Sequence, residues 1–102
     1  MRKITQQAVN NFLNAVPFKS GSTTVEVLPN VTILKLFGNA IAYLYNDPEK
    51  TLSITTCGFN TNTTRERLNA IPTVNITVKK GIQYLNGKEW NGEYIDVYKI
   101  NK

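Results

Sequence analysis

The sequence contains no histidine and only one cysteine, Cys57, among its 102 residues. Histidine is the most frequent general acid or base in enzymes, and histidine and cysteine supply most zinc ligands. Their scarcity argues against zinc binding, against an activated cysteine nucleophile and against an internal disulfide, which needs two thiols. We interpret Cys57 as a small packed hydrophobic residue in a protein of a reducing compartment.

Long apolar runs are also missing. No stretch approaches the roughly 20 apolar residues that a membrane-spanning helix needs, and the residues after Lys3 are too polar for a signal peptide. With 41% hydrophobic residues, the chain is nevertheless too apolar to be disordered. We therefore expect one folded domain over residues 1–102 that has no membrane as a partner.

Acidic residues are few, since seven of them face twelve lysines and arginines, and the net charge is +5. A basic balance favours anionic partners such as nucleic acid or an acidic protein surface. The charges are dispersed along the chain, and only Arg2-Lys3 and Lys79-Lys80 form doublets. A polybasic tail is therefore absent from the sequence.

The pattern of apolar residues predicts an α+β fold, in which an antiparallel sheet of short strands and hairpins accompanies an N-terminal amphipathic helix and one short central helix. Apolar residues recur at helical spacing over residues 3–15, and Pro17 ends that helix. Residues 18–22 are predicted as a loop. Four strands follow, at residues 23–28, 31–37, 40–45 and 51–57. Gly38-Asn39 is the expected hairpin turn, and the short linkers predict an antiparallel meander.

A shorter helix and further strands complete the prediction. Thr63 is expected to cap the helix, with Glu66 closing a capping box, and the helix ends near Ile71. Leu68 then faces the core together with Ile71. Strands are predicted at residues 74–78, 82–85, 88–90 and 93–100. Asn86-Gly87 predicts a hairpin between the second and third of these, because this dipeptide favours two-residue turns.

The acidic residues offer little for catalysis. Glu89 and Glu93 flank a tight turn and form, with Asp96, the one conceivable carboxylate set for Mg²⁺, but solvated surface carboxylates are the favoured interpretation. The sequence has no nucleophile–base pair, no glycine-rich phosphate loop and no metal-ligand spacing. We therefore expect a protein that is not an enzyme and that uses no cofactor or metal ion.

The remaining candidate site is a binding surface around the second helix. This helix carries two arginines, and three lysines follow in the next strands. Its first turn adds polar side chains and free backbone N–H groups, which attract anions. A solvated polar face is the competing interpretation. We predict that a macromolecular partner contacts Asn62, Thr64, Arg65, Arg67, Lys79, Lys80 and Lys88.

Several segments resemble a group of small accessory proteins of tailed bacteriophages. The similarity lies in residues 61–69 (TNTTRERLN) and 79–92 (KKGIQYLNGKEWNG), and the opening at residues 3–12 and 19–23 is similar too. Gly58-Phe59 stands where such proteins often have glycine followed by tryptophan. The resemblance implies a phage protein that acts in the cytoplasm of the infected bacterium. It carries over no catalytic or binding residues.

Small non-enzymatic phage proteins often bind and disable host or defence factors, an association at the level of the class. The leading hypothesis is therefore inhibition of a bacterial host protein or an anti-phage defence protein by binding. The alternative is a small basic nucleic-acid-binding module, whose phosphate contacts weaken steeply with salt. At a net charge of +5 the protein does not mimic nucleic acid, so an inhibitor of this kind blocks a protein surface directly, and an acidic surface fits best.

Overall fold

The structure, a computed structural model, describes residues 2–97. Within that range the chain forms two helices and nine short strands. In chain order these are α1 (Lys3–Leu13), β1 (Phe18–Ser20), β2 (Thr23–Val27), β3 (Val31–Leu36), β4 (Asn39–Tyr45), β5 (Leu52–Ile54), α2 (Asn62–Asn69), β6 (Ile76–Lys79), β7 (Ile82–Leu85), β8 (Lys88–Glu89) and β9 (Ile95–Asp96). The predicted α+β class is confirmed.

The strands form two antiparallel sheets. The larger has the order β1-β2-β3-β4-β5-β9, and β6-β7-β8 form the smaller. Strands β2 to β5 are sequential neighbours, so the predicted meander is confirmed. The chain then builds α2 and the smaller sheet before β9 returns to the edge of the larger one. Along the chain, the strands of the smaller sheet therefore come between β5 and β9, which are neighbours in the larger sheet.

One hydrophobic core connects the helices to both sheets. α1 buries Ala8, Val9 and Phe12 and packs against β1, β2 and β3, which matches the centre of the predicted apolar stripe. Leu68 in α2 and Ile71 just after it are also buried, as predicted. This shared core determines where α2 lies, and α2 carries most of the predicted binding residues.

Residues 18–22, predicted as a loop, instead form β1 and a tight turn. β1 pairs with β2 from Phe18 opposite Val25 to Ser20 opposite Thr23. Gly21 has a positive φ of 58°, which lets the chain reverse within two residues. A three-residue edge strand contains too little alternation to be recognised from sequence, so the prediction was wrong there.

Elements near the chain ends and in the smaller sheet have different bounds from those predicted. α1 ends at Leu13 rather than at residue 15, because Ala15 has a positive φ of 55° that interrupts helical geometry. β6 begins two residues later than the predicted strand at 74–78. The strand predicted at 93–100 is present as β9, and residues 98–100 of that prediction lie outside the described residues.

The segment around Cys57 departs from the predicted strand at 51–57. β5 stops at Ile54, after which the hydroxyl group of Thr55 donates a hydrogen bond to the carbonyl oxygen of Gly92 at 2.9 Å. Cys57 has a positive φ of 55° and is exposed to solvent. Its interpretation as a packed hydrophobic residue is wrong, because the backbone leaves the sheet before reaching it.

The second helix begins earlier than predicted. Thr61, not Thr63, is the N-cap, and its hydroxyl oxygen accepts a hydrogen bond from the backbone N–H of Thr64 at 3.2 Å. Glu66 does not close a capping box, because Arg2, just before α1, and Arg67 in α2 engage its carboxylate instead. The run of neighbouring threonines offers several equivalent caps, and only the packing of the helix selects one of them.

Three of the two-residue hairpin turns in the described residues have positive φ at both central positions: Phe37-Gly38, Lys80-Gly81 and Asn86-Gly87. Asn86-Gly87 does so between β7 and β8, as predicted, with φ values of 50° and 86°. Between β3 and β4 the turn is Phe37-Gly38 rather than the predicted Gly38-Asn39, since β4 already starts at Asn39. Phe37 has a φ of 53°, and 72% of its surface is exposed. A bulky residue is strained in this region, so the turn carries an unfavourable side chain.

Phe37→Asn is expected to raise the free energy of unfolding by about 0.5–1 kcal/mol, measured by chemical denaturation. Asparagine adopts positive φ more readily than phenylalanine, and the exposed ring contributes little burial to offset the strain. Lys80→Asn is the matched control, since Lys80 has the same φ of 53° in the Lys80-Gly81 turn but carries no ring. A loss of stability in Phe37→Asn alone would mean that ring contacts hold the β3–β4 turn.

Candidate binding groove

A groove runs between α2 and the smaller sheet. Two adjoining clefts of about 630 and 550 Å³ form it, and both are lined by Arg65 and Val78. The rest of their lining consists of Asn60, Asn62, Glu66, Asn69, Ile76, Gly81, Ile82, Gln83, Glu89, Trp90 and Asn91. We call the two clefts together the α2–β6 groove. Their lining is mixed, with amide side chains on the helix and apolar side chains on the sheet.

Arg65 lies where the two clefts meet, and neutral oxygens hold its guanidinium. Nη1 donates to the carbonyl oxygen of Asn60 at 2.9 Å and to Gln83 Oε1 at 3.2 Å, while Nη2 donates to Asn62 Oδ1 at 2.7 Å. Among residues 2–97, Nε and one hydrogen of Nη2 have no acceptor, and no carboxylate forms an ion pair with Arg65. The guanidinium is therefore held in place while its charge is not neutralised by the described part of the chain.

Four of the predicted binding residues lie in or beside the groove. Asn62 and Arg65 line it. Lys79 and Lys80 are exposed at the turn between β6 and β7, and the residues on either side of this pair line the groove. The two lysines therefore place positive charge at one end of the groove.

Thr64, Arg67 and Lys88 do not join this group. Thr64 and Arg67 are only 2% and 3% exposed, so the prediction that they contact a partner is corrected. Lys88 is exposed, but it is next to the β7–β8 turn, at the opposite end of β7 from the β6–β7 turn. Thr64 and Arg67 are buried because of the way α2 packs against the rest of the fold. The residue pattern of the helix alone does not indicate which of its polar side chains this packing buries.

Arg67 belongs to a buried polar cluster that connects α1, α2 and β2. Its guanidinium donates to Thr5 Oγ1 at 2.5 Å, to Thr23 Oγ1 at 3.2 Å and to Glu66 Oε1 at 2.7 Å. The same Glu66 oxygen accepts hydrogen bonds from Arg2 Nε and Thr5 Oγ1, each at 2.9 Å. We call these residues the Glu66 cluster. It connects the first turn of α1 and the second turn of α2 to Thr23 in β2 of the larger sheet.

The Glu66 cluster is charged and its hydrogen bonds are satisfied. Hydrogen bonding from Arg2 lowers the pKa of Glu66 from its ordinary value of 4.5 to about 2, with help from Thr5 and against the effect of burial. Burial lowers the pKa of Arg67 below its ordinary value, yet a guanidinium stays protonated at physiological pH. Within residues 2–97, no buried side-chain nitrogen or oxygen lacks a hydrogen-bond partner. The cluster therefore holds α2 in place, and with it Arg65.

The sheet side of the groove is the edge of β6. The side chain of Asn69 pairs with Ile76 as a neighbouring strand does: the Ile76 N–H donates to Oδ1 at 2.6 Å, and Nδ2 donates to the Ile76 carbonyl oxygen at 3.0 Å. Hydrogen-bonding direction alternates along an antiparallel strand, so Val78 points its N–H and C=O the same way. Neither group of Val78 has a partner among the described residues. The groove thus contains unpaired strand edge beside Arg65.

Several groove residues carry no strong signal in the amino-acid sequence. Gln83 shares a strand face with the buried Leu85, so alternation predicts that Gln83 faces inward. Its residue type alone does not reveal the hydrogen bond that its side-chain oxygen accepts from Arg65. Asn69 becomes visible as a strand-edge partner only once α2 is docked on β6. Val78 shares a strand face with the buried Ile76 but is 50% exposed, because the groove leaves its side chain uncovered.

The carboxylates considered for Mg²⁺ are not assembled into a site. Glu89 and Glu93 are exposed, whereas Asp96 accepts a hydrogen bond from Ser53 Oγ at 2.5 Å. In the described range, no three histidine, cysteine, aspartate or glutamate side chains form a group that could hold a metal ion. The hydrogen bond from Ser53 instead ties Asp96 to β5, the neighbouring strand of the larger sheet.

Comparison with known proteins relates the chain to bacteriophages. A family model described as Kyanoviridae Gp96 protein matches residues 1–101. The chain belongs to this family. Because the family is one of cyanophages, the resemblance to small accessory proteins of tailed bacteriophages is confirmed. No curated protein and no solved structure gives a significant match to the chain.

The length and composition of the helices bear on whether either of them could span a membrane. Both helices that the structure describes between residues 2 and 97 are too short and too polar to cross a membrane. The groove geometry and the phage origin together are the basis for the function proposed next.

Proposed function

We propose that this phage protein acts by binding, without catalysis, to a protein of the bacterial host or of its anti-phage defences, and that binding in the host cytoplasm inhibits that protein. The observation that carries the proposal is the α2–β6 groove, where Arg65 is held by neutral oxygens and keeps an uncompensated charge. An arginine ordered before binding loses less entropy when a partner arrives, and arginine is enriched among residues that dominate interface energies. Membership of a phage family supports a role during infection.

The exposed apolar side chains of the groove favour a protein partner over nucleic acid. Val78 and Ile82 are 50% and 41% exposed beside the Arg65 guanidinium. A protein segment offers apolar side chains to such a surface, whereas contacts with a phosphate backbone are mainly electrostatic and gain little from it.

A nucleic-acid-binding module is the second candidate, and the position of Lys79 and Lys80 favours it. Both lysines are exposed in the turn that follows Val78, which lines the groove, so they add two cations near the one that Arg65 offers to phosphates. Non-specific binding of this kind has dissociation constants of about 10⁻⁴–10⁻⁶ M at physiological salt. Its affinity falls steeply as salt is raised, which separates it from a shape-dependent protein interface.

Affinity purification from infected cells, followed by mass spectrometry, tests the proposal. The tagged wild-type protein is expected to recover a specific host protein, and Arg65→Gln is expected to recover at least tenfold less of it. A hydrogen bond to a charged group contributes about 1.5–3 kcal/mol, which corresponds to a change of that size. Lys88→Gln is the matched control, because it removes the same charge outside the groove and should leave recovery unchanged.

Two results would contradict the proposal. One is recovery of no specific host protein by the wild type, together with unchanged growth of a phage lacking the gene on defence-bearing strains. The other is a gel-shift titration in which the protein binds DNA or RNA, loses this affinity steeply with salt and loses it in Arg65→Gln. That second result would favour the nucleic-acid-binding module instead.

A further inference from the structure

We infer that the α2–β6 groove takes an extended, acidic segment of the partner protein, which adds to β6 as a further strand and places a carboxylate on Arg65. The inference rests on the proposed function and specifies the chemistry of the partner at that site. Its two components are an unpaired strand edge and an uncompensated guanidinium, which lie side by side in one groove.

The strand edge is defined by the register of the smaller sheet. The N–H of Asn86 donates to the carbonyl oxygen of Asn75 at 2.8 Å, so every second residue from Asn75 onward directs its backbone groups toward β7. Ile76 and Val78 lie between these positions and direct theirs outward. The Asn69 amide already occupies the outward backbone groups of Ile76. An added strand would lie beyond it along the same edge of β6 and would form its hydrogen bonds with the backbone N–H and C=O of Val78.

Charge selects an acidic segment. The unused Nε–H of Arg65 and the unused N–H of Nη2 are donors to a carboxylate, and charge-assisted bonds of this type are the strong ones. Lys79 and Lys80 add positive charge at one end of the groove. Two carboxylates also line it: the Glu66 cluster engages that of Glu66, while Glu89 is exposed at the outer side. An acidic side chain is therefore favoured next to Arg65 rather than next to Glu89.

A second copy of the chain is a poorer occupant of the same edge. Pairing of two β6 edges would bring Arg65, Lys79 and Lys80 of one copy toward the same residues of the other. Like charges across an edge oppose pairing, and lysine on exposed edges is a common protection against self-association. The edge is thus open to a partner of opposite charge and unfavourable for association with itself.

A display library of random eight-residue peptides, selected against the full chain, is the probe. Selected peptides are expected to share Asp or Glu at one position, with residues of high strand propensity around it. Arg65→Gln should weaken binding of the selected peptide at least tenfold, and exchange of its acidic residue for the amide should do the same. Lys88→Gln is the control and should bind as the wild type does.

Val78→Pro tests the strand edge itself. Proline removes the outward N–H of Val78, which the ladder with β7 does not use, so the fold should be retained and circular dichroism can verify this. Binding of the selected peptide should fall at least tenfold. Single N-methyl groups along the peptide give an independent readout that needs no protein variant. Methylation should abolish binding at the residue that donates to the Val78 carbonyl oxygen and be tolerated at the residue before or after it.

Selection of no peptide, or of peptides without an acidic residue whose binding survives both Arg65→Gln and Val78→Pro, would overturn the inference. Dimerisation of the chain that Val78→Pro abolishes would also overturn it, since the edge would then serve a second copy. The proposed function is judged separately, by capture from infected cells. If the wild type and Val78→Pro recover the same host protein equally, strand addition is wrong and the proposed function stands. If the wild type recovers none and a phage lacking the gene grows unchanged on defence-bearing strains, the proposed function is wrong.

Discussion

Gly92→Ala is expected to lower the free energy of unfolding by roughly 2–5 kcal/mol, because the new methyl group has neither the backbone conformation nor the space it needs. Gly92 has a φ of +95°, and a Cβ atom there would overlap the Thr56 hydroxyl oxygen and lie 2.7 Å from Asn60 Oδ1. In a domain of this size the midpoint of thermal unfolding should fall by about 10 °C or more. Calorimetry and chemical denaturation measure both quantities.

The backbone cannot move away to relieve this overlap. The carbonyl oxygen of Gly92 accepts hydrogen bonds from the backbone N–H of Thr56 and from Thr55 Oγ1, each at 2.9 Å. These bonds attach the turn between β8 and β9 to the end of β5, where the smaller sheet joins the larger. A shift that makes room for a methyl group therefore breaks hydrogen bonds in a largely buried position.

Gly58→Ala separates the two causes. Gly58 has a comparable φ of +84°, but a Cβ atom there meets no heavy atom within 4 Å. This variant is expected to lose only the conformational part, about 1–2 kcal/mol. Equal losses in Gly58→Ala and Gly92→Ala would contradict the steric explanation.

Glu66→Gln is expected to lower the free energy of unfolding at neutral pH by about 2–4 kcal/mol. The substitution leaves the guanidinium of Arg67, only 3% exposed, without an anion, and removing one member of a buried ion pair is strongly destabilising. The Glu66 side chain is 26% exposed, which keeps the expected loss below that of a fully buried pair. Denaturant unfolding of the wild type and the variant measures the difference.

The pH dependence of this difference has a defined sign. Because the pKa of Glu66 is lowered from 4.5 to about 2 in the folded protein, the stabilisation by its carboxylate is complete above pH 4.5. It is lost as the pH falls from 4.5 toward 2, because over that interval the unfolded state binds a proton that the folded state does not. The free-energy difference between the wild type and Glu66→Gln should therefore shrink over that interval. A difference that stays constant down to pH 2 would contradict the role of the ionised carboxylate.

Glu26→Gln is the matched control for this substitution. Glu26 forms an ion pair with Lys35 at 2.7 Å on the surface of the larger sheet, where the two side chains are 43% and 31% exposed. Exposed pairs contribute about 0–1 kcal/mol, so this variant should be close to the wild type at neutral pH. The contrast between the two glutamates isolates the effect of burial.

Much of the fold could be predicted because its signals are local. The Asn86-Gly87 turn follows from which residues tolerate positive φ, and the helix near the N-terminus follows from apolar spacing. Short linkers between the strands similarly require antiparallel neighbours. These features depend on residues within a few positions of one another, and the structure confirms all of them.

Predictions failed where distant contacts decide the outcome. Thr61 rather than Thr63 caps α2, and Glu66 bonds across to α1 instead of closing a capping box. β1 exists because its partner β2 is present, not because its own residues favour a strand. Cys57 is exposed because Thr55 and the residue after it bond to Gly92, which lies far along the chain.

The amino-acid sequence alone determined the fold class, the basic charge and the presence of Arg65 and Arg67 on a short helix. It did not determine which arginine faces a partner. The two arginines are two positions apart, so they point roughly 200° apart around the helix, and packing one arginine inward directs the other outward. Tertiary structure made that choice, because Thr5 and Thr23 from other elements supply the acceptors that allow Arg67 to be buried. Arg65 is left in the groove, beside a strand edge that exists only once the smaller sheet has formed.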